Sequence, residues 1–467
     1  MNTSAVTTQR AILLASSFAF IVVQLDVTIV NVALPAIGAQ FGAGLGALAW
    51  VVDAYTLGFA VFLLTAGLMG DRFGPRNVFL AGFALFTAAS IGCAAAPSVL
   101  GLEVARLLQG IGAALLVPSS LTILNTAHGD DKIGLAKAIA WWTAAGGVSI
   151  AAGPLVGAVL LSMGGWRTIF WVNVPLCLAG FVLAFLVVPR VQQAPAPRSF
   201  DLPGQLLAIV ALTTLVGAVI EGPALGWSST FVLTALGCAA LSAASFVLVE
   251  RRSHSPMLPL RLFGNAGFAA AVVFGMLVNF GYYGVIFILS LYLQRVRGFS
   301  ALDTGLAFLP LTGTFIFSNI ASGWLSSRSG LRLPMVLGAV IAAVGYAVLG
   351  AVGSAPEASF LDMLPGLVLI PAGMGLAVPA MTASILGSVQ RNEAGIASAV
   401  LNTARQVGGA MGVAVFGAMV AAASHEQIER GVQLAMGISA GLLVAVSVLA
   451  YRYIARPVAA PVEAVCG

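Results

Sequence analysis

Long apolar segments, separated by short polar connections, run along almost the whole chain of 467 residues. A helix that crosses a bilayer needs about 20 consecutive, mostly apolar residues, and fourteen segments of about that length follow one another. The pattern therefore predicts an all-α membrane protein with 14 transmembrane helices. These helices are predicted over residues 12–36, 48–69, 78–96, 99–123, 135–160, 168–188, 203–221, 230–249, 267–293, 304–325, 333–352, 361–386, 395–421 and 433–454.

The distribution of positive charge predicts how the helices are oriented. With the N-terminus inside, the connections on the cytoplasmic side hold fifteen lysine and arginine residues and the outward connections hold four. Such an excess is typical of cytoplasmic loops. The first apolar segment continues past Asp26 to Pro35, which is too long for a signal peptide, so we interpret it as a retained helix. We predict a multi-pass protein of the inner (plasma) membrane with both termini in the cytoplasm.

The composition excludes several classes of function. Charged residues make up 8% of the chain, whereas soluble proteins average about 25%, so the net charge of +5 reflects membrane topology rather than a nucleic-acid surface. The four cysteines and three histidines lack the paired spacing of a metal site. We expect no metal, no cofactor, no nucleic-acid partner and no enzymatic activity. The chain has no Gly-x-x-x-x-Gly-Lys-Ser/Thr motif, so ATP is not the direct energy source.

An internal repeat predicts two related halves. The segment Gly67–Arg76 returns 256 positions later as Gly323–Arg332, with both glycines and both arginines preserved. A six-helix unit here takes about 190 residues, so this offset leaves room for two additional helices. We therefore predict a six-helix bundle over residues 1–189, a linker with two inserted helices over 190–262, and a second six-helix bundle with a short cytoplasmic tail over 263–467.

Several segments resemble signatures of the major facilitator superfamily. Gly67–Arg76 resembles its loop between the second and third helices, and Arg106–Ala114 resembles its fourth-helix signature. Leu25–Pro35 resembles the first-helix signature of the fourteen-helix drug:proton antiporter branch, and Trp50–Leu57 and Trp166–Pro175 extend the likeness. Within that branch the chain is most similar to methylenomycin-resistance-type multidrug exporters. The resemblance implies proton-coupled export of a small amphipathic compound, and we expect a monomer.

The fifth helix carries a glycine-rich segment that such antiporters share. Their pattern ends in Gly-Pro-x-x-Gly-Gly, whereas this chain has Gly-Pro-Leu-Val-Gly-Ala and a serine, Ser149, where another glycine is usual. The alternative is that these small residues only allow close helix packing. The residues assigned to antiporter-type helix packing are Gly147, Gly153, Pro154 and Gly157.

Three charged residues are predicted to share one layer inside the membrane. At 1.5 Å per residue, Asp26 lies about 21 Å from the cytoplasmic face, Arg106 about 20 Å and Asp53 about 22 Å. Charged groups inside a bilayer are costly and mostly functional. We assign proton coupling to these three, with Asp26 as the principal proton acceptor and Arg106 as its modulator. The alternatives are a permanent structural ion pair and, for Asp53, solvation near the interface.

Arg405 lies near the middle of the thirteenth predicted helix, about 15 Å from the cytoplasmic face. Asn402 and Gln406 accompany it on a polar stripe at helical spacing. Either Arg405 binds an anionic group of the substrate, or it donates hydrogen bonds to backbone carbonyls across the junction between the halves. We favour the second interpretation because nearby glycines indicate close packing.

Four further polar residues are candidates for the substrate cavity. Tyr282 corresponds approximately to Asp26 at the repeat offset, so the two halves would place them across a central cavity. Aromatic rings combined with an acid can bind a lipophilic cation. The alternative is that these side chains pack the bundle. The candidates are Asn31, Asn279, Tyr282 and Tyr283.

The repeated loop segment is the candidate for a cytoplasmic latch. The family resemblance implies that its aspartate and arginines link helix ends across the two halves and hold the outward-open state. The second copy has Ser327 where the first has Asp71, so we expect an asymmetric latch. The latch residues are Gly67, Asp71, Arg72, Gly74, Arg76, Gly323, Arg328, Gly330 and Arg332.

The sequence thus predicts a secondary transporter that exports a drug or antibiotic in exchange for protons by alternating access. Two other functions fit the same fold: a proton-coupled importer of a small metabolite, and a membrane sensor that does not transport. The direction of proton flow discriminates the first, and the absence of flux the second. The expected partners are the small-molecule substrate, protons and the lipid bilayer.

Overall fold

A computed structural model describes residues 3–128, 131–190, 201–253, 256–353, 359–389, 394–420 and 425–454. Within these ranges the chain is helical, with short turns and no strand. Tight turns between helices fall at glycines in the left-handed region, such as Gly42 (φ 61°) and Gly74 (φ 87°). Only glycine adopts this conformation without a steric cost.

The helices that precede the two predicted inserted helices are called the N-terminal half. They begin with a 39-residue helix that contains Asp26, and the fourth contains Arg106. The helices are α1 (Thr3–Phe41), α2 (Leu45–Phe73), α3 (Pro75–Ala95), α4 (Val99–His128), α5 (Lys132–Gly164), α6 (Thr168–Trp171) and α7 (Asn173–Val187).

The remaining helices form an inserted hairpin and the C-terminal half. The inserted hairpin is α8 (Leu202–Leu225) and α9 (Thr230–Arg252). A 3₁₀ turn, Leu260–Gly264, leads into the C-terminal half, and a π-helical turn, Leu349–Gly353, follows its fourth helix. Its helices are α10 (Ala266–Arg295), α11 (Ala301–Ala307), α12 (Leu309–Ser329), α13 (Arg332–Val348), α14 (Phe360–Gly387), α15 (Ala394–Val420) and α16 (His425–Tyr453).

The described residues contain 12 helices that are long and apolar enough to cross a membrane. A thirteenth candidate is α5, which bends by 47° between Trp141–Ile150 and Ala152–Gly164. The helix α15 is not among these candidates, and it carries the polar stripe around Arg405. The predicted all-α membrane architecture is confirmed, while the count of 14 transmembrane helices stays a prediction.

The two halves contact each other at the end of the bundle where α1 meets α2, which we call the α1–α2 end. The hydroxyl of Ser290 donates to the backbone oxygen of Asn31 (2.9 Å), and the amide of Gln294 donates to that of Val32 (3.2 Å). Gly305 packs so closely on α5 that a β-carbon there would lie 2.8 Å from the backbone oxygen of Pro154. These contacts are called the interhalf seal.

The inserted hairpin packs along α2 through its first helix. The side-chain amide of Gln205 donates to the backbone oxygen of Val61 (3.0 Å), and the hydroxyl of Thr65 bonds the amide oxygen of Gln205. Near the other end, the indole of Trp50 donates to Glu221 (3.3 Å). The second helix, α9, packs on α8 and has little buried surface of its own. The first helix, α8, also packs on α15, so the hairpin contacts both halves, with α9 outermost.

Candidate functional site

A buried ion pair joins α1 and α4 inside the N-terminal half. The Nη1 atom of Arg106 contacts Oδ2 of Asp26, and the two side chains are 1% and 0% exposed. The matching depths calculated from the sequence had placed them in one layer, and helix packing brings them together. Since removing one partner would leave an uncompensated charge in the interior, the pair holds the two helices in register.

Two amides complete the coordination of Asp26. Its Oδ1 atom accepts a hydrogen bond from Nε2 of Gln109 (2.8 Å) and another from Nδ2 of Asn173 (2.8 Å). The Gln109 amide also bonds the hydroxyl of Ser90 (2.9 Å) and accepts from Arg106 (2.7 Å). Both oxygens of Asp26 therefore accept from donors, which is the arrangement that an ionised carboxylate requires. We call this group of five side chains the Asp26 network.

Sequence reasoning missed three members of the Asp26 network. Gln109 follows Arg106 by three positions and so lies on the same face of α4, which was a usable signal. Asn173 lies in the segment Trp166–Pro175 that carried part of the family resemblance, but nothing in its pattern indicated contact with α1. Ser90 carries no signal, because a serine in an apolar helix most often bonds its own backbone, as it also does here with Phe86 (2.8 Å).

Arg106 has further partners that do not depend on Asp26. Its Nε donates to the backbone oxygen of Val51 (3.0 Å). Its guanidinium carbon lies 4.4 Å from the ring centroid of Tyr55 and 5.9 Å from that of Phe170. The Tyr55 hydroxyl in turn donates to the backbone oxygen of Val23 (3.2 Å). The arginine is therefore held in place by α2 and α4 even when its contact with Asp26 is broken.

Asp53 stands apart from the other two charged residues of the predicted layer. Its side chain is 0% exposed, and within the described ranges neither carboxyl oxygen has a hydrogen-bond partner. It lies one turn after Ala49, which is 3.7 Å from the position that a β-carbon on Gly417 of α15 would take. Asp53 is thus buried on the face of α2 that packs towards the C-terminal half, and it is not solvated as one alternative proposed.

The candidate cavity residues differ in how their polar groups are used. The amides of Asn31 and Asn279 donate to their own helices, at Val27 (3.2 Å) and Gly275 (2.7 Å). Both asparagines are buried. Tyr282 faces a small cavity between the halves, and its ring lies edge-to-face with that of Tyr283 at 5.4 Å. The cavity is lined by Thr28, Ile150, Pro154, Tyr282, Ile286, Phe308, Leu311 and Phe315.

Arg405 is a partly exposed cation without a counter-ion. Its Nε atom is buried and has no acceptor among the described residues, so the expected bonds to backbone carbonyls are not made in this conformation. Its side chain packs on α10, where Cγ lies 3.5 Å from the position of a β-carbon on Gly275. Asn402, one turn earlier, donates to the backbone oxygen of Ser398 (3.0 Å), and Gln406 is partly exposed.

The glycines of α5 pack the helix on α1. A β-carbon on Gly153 would collide with the hydroxyl of Thr28, and one on Gly157 would lie 2.8 Å from the backbone oxygen of Ile29. Pro154 lies inside the helix, next to the bend. Gly147 has nothing within 4 Å of its β-carbon position. These contacts show close packing and carry no separate sign of proton coupling.

In the first repeat, the described latch contact stays within its own half. Arg76 donates to the backbone oxygen of Phe185 (2.8 Å) and its guanidinium lies 5.0 Å from that ring. The guanidinium of Arg72 lies 5.8 Å from the ring of Phe73. The Asp71 side chain lies outside the described residues. A β-carbon on Gly67 would have nothing within 4 Å, and Gly74 makes the turn into α3.

The second repeat behaves in the same way. Arg328 stacks on Trp324 (4.1 Å) and Arg332 stacks on Tyr451 (3.8 Å), both inside the C-terminal half. Gly323 also has nothing within 4 Å of its β-carbon position, and Gly330 (φ 75°) makes the turn into α13. The contacts described for Arg76, Arg328 and Arg332 therefore lie within their own halves.

Comparisons with known proteins agree with this architecture. Residues 16–413 match the profile of the Major Facilitator Superfamily. The chain is 38% identical over 417 residues to the multidrug resistance protein Stp of Mycobacterium tuberculosis, which covers 89% of this chain and 76% of that protein. It is 35% identical over 411 residues to the methylenomycin A resistance protein of Bacillus subtilis, covering 88% and 87%.

Two further similarities extend the comparison. The tetracenomycin C resistance and export protein of Streptomyces glaucescens is 37% identical over 412 residues, covering 88% of this chain and 75% of that protein. Among solved structures, the xylose transporter XylE of E. coli in a partially occluded inward-open conformation superposes with a TM-score of 0.67, at 15% identity and over 97% and 99% of the two chains. The chain is a membrane transporter rather than an enzyme, and it belongs to the Major Facilitator Superfamily.

Proposed function

We propose that this protein exports a small amphipathic compound, a drug or an antibiotic, across the inner membrane in exchange for protons. The observation that carries the proposal is the Asp26 network, a buried carboxylate held by a cation and two amides inside a transporter fold. The names of three similar proteins, which refer to multidrug, methylenomycin A and tetracenomycin C resistance, support a drug as the cargo.

The proposed topology has fourteen membrane-spanning helices and two cytoplasmic termini. The additional spans are the bent α5 and α15, whose 27 residues extend over about 40 Å, which is enough to cross a bilayer. The polar stripe of α15 is tolerated because that helix packs between α10 and α2 instead of facing lipid. The division into six, two and six helices, in a protein that works as a monomer, belongs to the same proposal.

With this topology the α1–α2 end is the outer end, so the interhalf seal closes the outer side and the conformation is inward-facing. Two latch arginines support this assignment, since the latch is proposed to join the cytoplasmic ends only in the outward-open state. Arg76 contacts Phe185 and Arg332 contacts Tyr451, each inside its own half.

Asp26 is the proposed site of proton exchange. A proton bound to either oxygen of Asp26 is itself a hydrogen-bond donor. Because Arg106, Gln109 and Asn173 already direct donors at these two oxygens, at least one of the three must move away. Arg106 retains Val51 and Gln109 as acceptors, and it can therefore leave Asp26 without being stranded. Protonation thereby changes how α1 is joined to α4, which is the required link between proton binding and helix movement.

Asp53 is proposed as a second proton-binding residue. A buried carboxyl group without a donor is compatible with the neutral acid and is costly as an anion. Its position between α2 and the C-terminal half means that the side chain becomes hydrated only when the two halves separate. Opening of the outer side would then release or admit a proton at Asp53.

Proton-coupled flux in proteoliposomes tests the proposal. A pH gradient is imposed, lumenal pH is followed, and antibiotics, lipophilic ions and neutral dyes are added in turn to wild-type protein and to Asp26→Asn. We expect at least one compound to start proton counterflow in the wild type and not in the variant. The control is Glu426→Gln, which removes an exposed carboxylate that pairs with Arg430 (2.6 Å) and should leave counterflow intact.

Two results would contradict the proposal. Movement of protons in the same direction as the compound would identify an importer. Unchanged counterflow in Asp26→Asn would remove that residue from the coupling step while leaving export in place.

A further inference from the structure

The negative charge of Asp26 is not available to a cationic substrate. The two oxygens of Asp26 are occupied by Arg106, Gln109 and Asn173. The aspartate is 0% exposed, and the pair with Arg106 cancels its charge. A lipophilic cation that entered the space between the halves would therefore meet no free carboxylate at this level of α1.

The C-terminal half presents the opposite situation. Arg405 is partly exposed, and in the described part of the chain it makes no ion pair, no hydrogen bond and no stacking contact on a ring. A cation in the interior of a membrane protein is costly unless it is paired. Among the described residues, Arg405 is thus a charge near the middle of the bundle that is both accessible and uncompensated, and this charge is positive.

Aromatic side chains extend from Arg405 towards the cavity between the halves. Tyr283 is close enough for an electrostatic interaction with both Arg405 and Tyr55, and it packs against the core of the N-terminal half. Its neighbour Tyr282 lines the cavity itself. A guanidinium next to tyrosine rings can bind a carboxylate through two parallel hydrogen bonds while the rings contact an apolar body.

We propose that this transporter selects amphipathic anions, and that Arg405 binds the anionic group while Tyr282 and Tyr283 contact the apolar part. The proposal rests on the proposed export function and names its substrate class. Arg405 is a binding residue here, whereas the alternative of hydrogen bonds to backbone carbonyls has no acceptor in this conformation. The Asp26 network is left to the proton.

An anionic cargo makes the exchange strongly electrogenic. When one proton enters and one monovalent anion leaves, two positive charges move inward in each cycle. A neutral cargo would move one charge and a monovalent cation none. A membrane potential that is negative inside therefore favours export of an anion more than export of the other two classes.

Binding of three matched probes tests the selectivity. The probes are 2-naphthoate, its neutral amide 2-naphthamide and the cation 2-naphthylmethylammonium, measured by equilibrium dialysis with the purified full-length protein. Charge-assisted hydrogen bonds are stronger than neutral ones by about tenfold or more in binding. We expect wild-type protein to prefer naphthoate, and Arg405→Gln to lose about tenfold or more in naphthoate affinity while naphthamide binding changes less than about twofold.

Two further variants keep the test specific. Arg405→Lys retains the charge but cannot make the two parallel hydrogen bonds, so its naphthoate affinity should lie between those of the wild type and of Arg405→Gln. Arg430→Gln removes an exposed arginine, 77% exposed and paired with Glu426, and should behave as wild type. Thermal unfolding of each variant in detergent shows whether it is folded, so that a loss of affinity is not mistaken for a loss of structure.

The outcomes separate this inference from the export proposal. A preference for the cation, equal losses for all three probes in Arg405→Gln, or no binding of naphthoate to the wild type would overturn the inference. If proton counterflow with some other compound persisted at the same time, the export function would still stand. Loss of counterflow with every compound, together with intact naphthoate binding, would overturn the export function and leave the anion site.

Discussion

The two halves treat their central charges in opposite ways. In the N-terminal half, Arg106 is 1% exposed and has a carboxylate, an amide oxygen and a backbone oxygen as partners. In the C-terminal half, Arg405 is partly exposed and its Nε has no acceptor among the described residues. Two halves related by a sequence repeat thus carry one arginine with several acceptors, Arg106, and one whose Nε has no acceptor among the described residues, Arg405. The difference is the basis of the two proposals above, which assign proton exchange to the first half and ligand binding to the second.

The largest expected effect is the difference in the free energy of unfolding when each of the two arginines is removed. Arg106→Ala leaves Asp26 as a buried charge without its counter-ion and should lower the free energy of unfolding by about 3–5 kcal/mol. Arg405→Ala removes a cation that has no partner among the described residues and should therefore cause no such loss. Thermal or denaturant unfolding in detergent measures both. Equal losses would mean that Arg405 is structurally paired after all.

A second effect sharpens the description of the N-terminal half. Asn173→Ala removes one of the two amide donors to Asp26 and should cost about 1.5–3 kcal/mol, because the lost hydrogen bond is made to a charged acceptor. Asn402→Ala is the matched change in the C-terminal half, where the amide only bonds its own helix. We expect a loss below about 1 kcal/mol there. Similar losses for the two asparagines would argue against a special role for the Asp26 network.

A smaller change in free energy is expected when the contact between the halves is weakened. Ser290→Ala removes one hydrogen bond of the interhalf seal and should weaken closure at the α1–α2 end, the proposed outer end, by about 0.5–1.5 kcal/mol. To measure opening, Ile286, which lines the cavity, is replaced by cysteine in a protein that lacks Cys238 and Cys466. A thiol reagent added from the outside then labels this cysteine only when the cavity opens to that side. Labelling should increase by several-fold in Ser290→Ala. A cysteine at Leu233, which is 55% exposed on α9, should react equally with and without the change.

The smallest expected effect on stability belongs to Asp53. Asp53→Asn replaces a carboxyl that has no donor by an amide of the same shape, so the free energy of unfolding should change by less than about 1 kcal/mol. The number of protons taken up per exported molecule should nevertheless fall, because the amide binds no proton. A stoichiometry equal to that of the wild type would leave Asp26 as the single proton site.

Much of the architecture could be predicted from the sequence because it depends on the height of residues along helices. Rise per residue placed Asp26 and Arg106 in one layer, and they are in contact. The same calculation placed Asp53 in that layer, yet its carboxyl oxygens have no hydrogen-bond partner among the described residues. Height along a helix does not specify the direction in which a side chain points, and this direction decides whether residues in one layer meet.

Other features depend on which helices are neighbours. Asn173 reaches Asp26 because α7 packs against α1. Whether Arg405 finds an acceptor depends on which side chains α10 and α2 place next to it. No periodicity within one segment contains this information. The family resemblance, the membrane class and the helical fold are confirmed, whereas the helix count, the division into bundles and the roles of the latch residues stay predictions.

The interhalf seal has a consequence for how the protein tolerates variation. Both of its hydrogen bonds run from side chains of α10, Ser290 and Gln294, to backbone oxygens of α1 at Asn31 and Val32. Every residue type supplies a backbone oxygen, so substitutions at these two positions of α1 keep the acceptors, while substitutions on α10 delete the donors. Spontaneous variants with a weakened interhalf seal, and second-site revertants that repair it, should therefore accumulate on α10 rather than on α1.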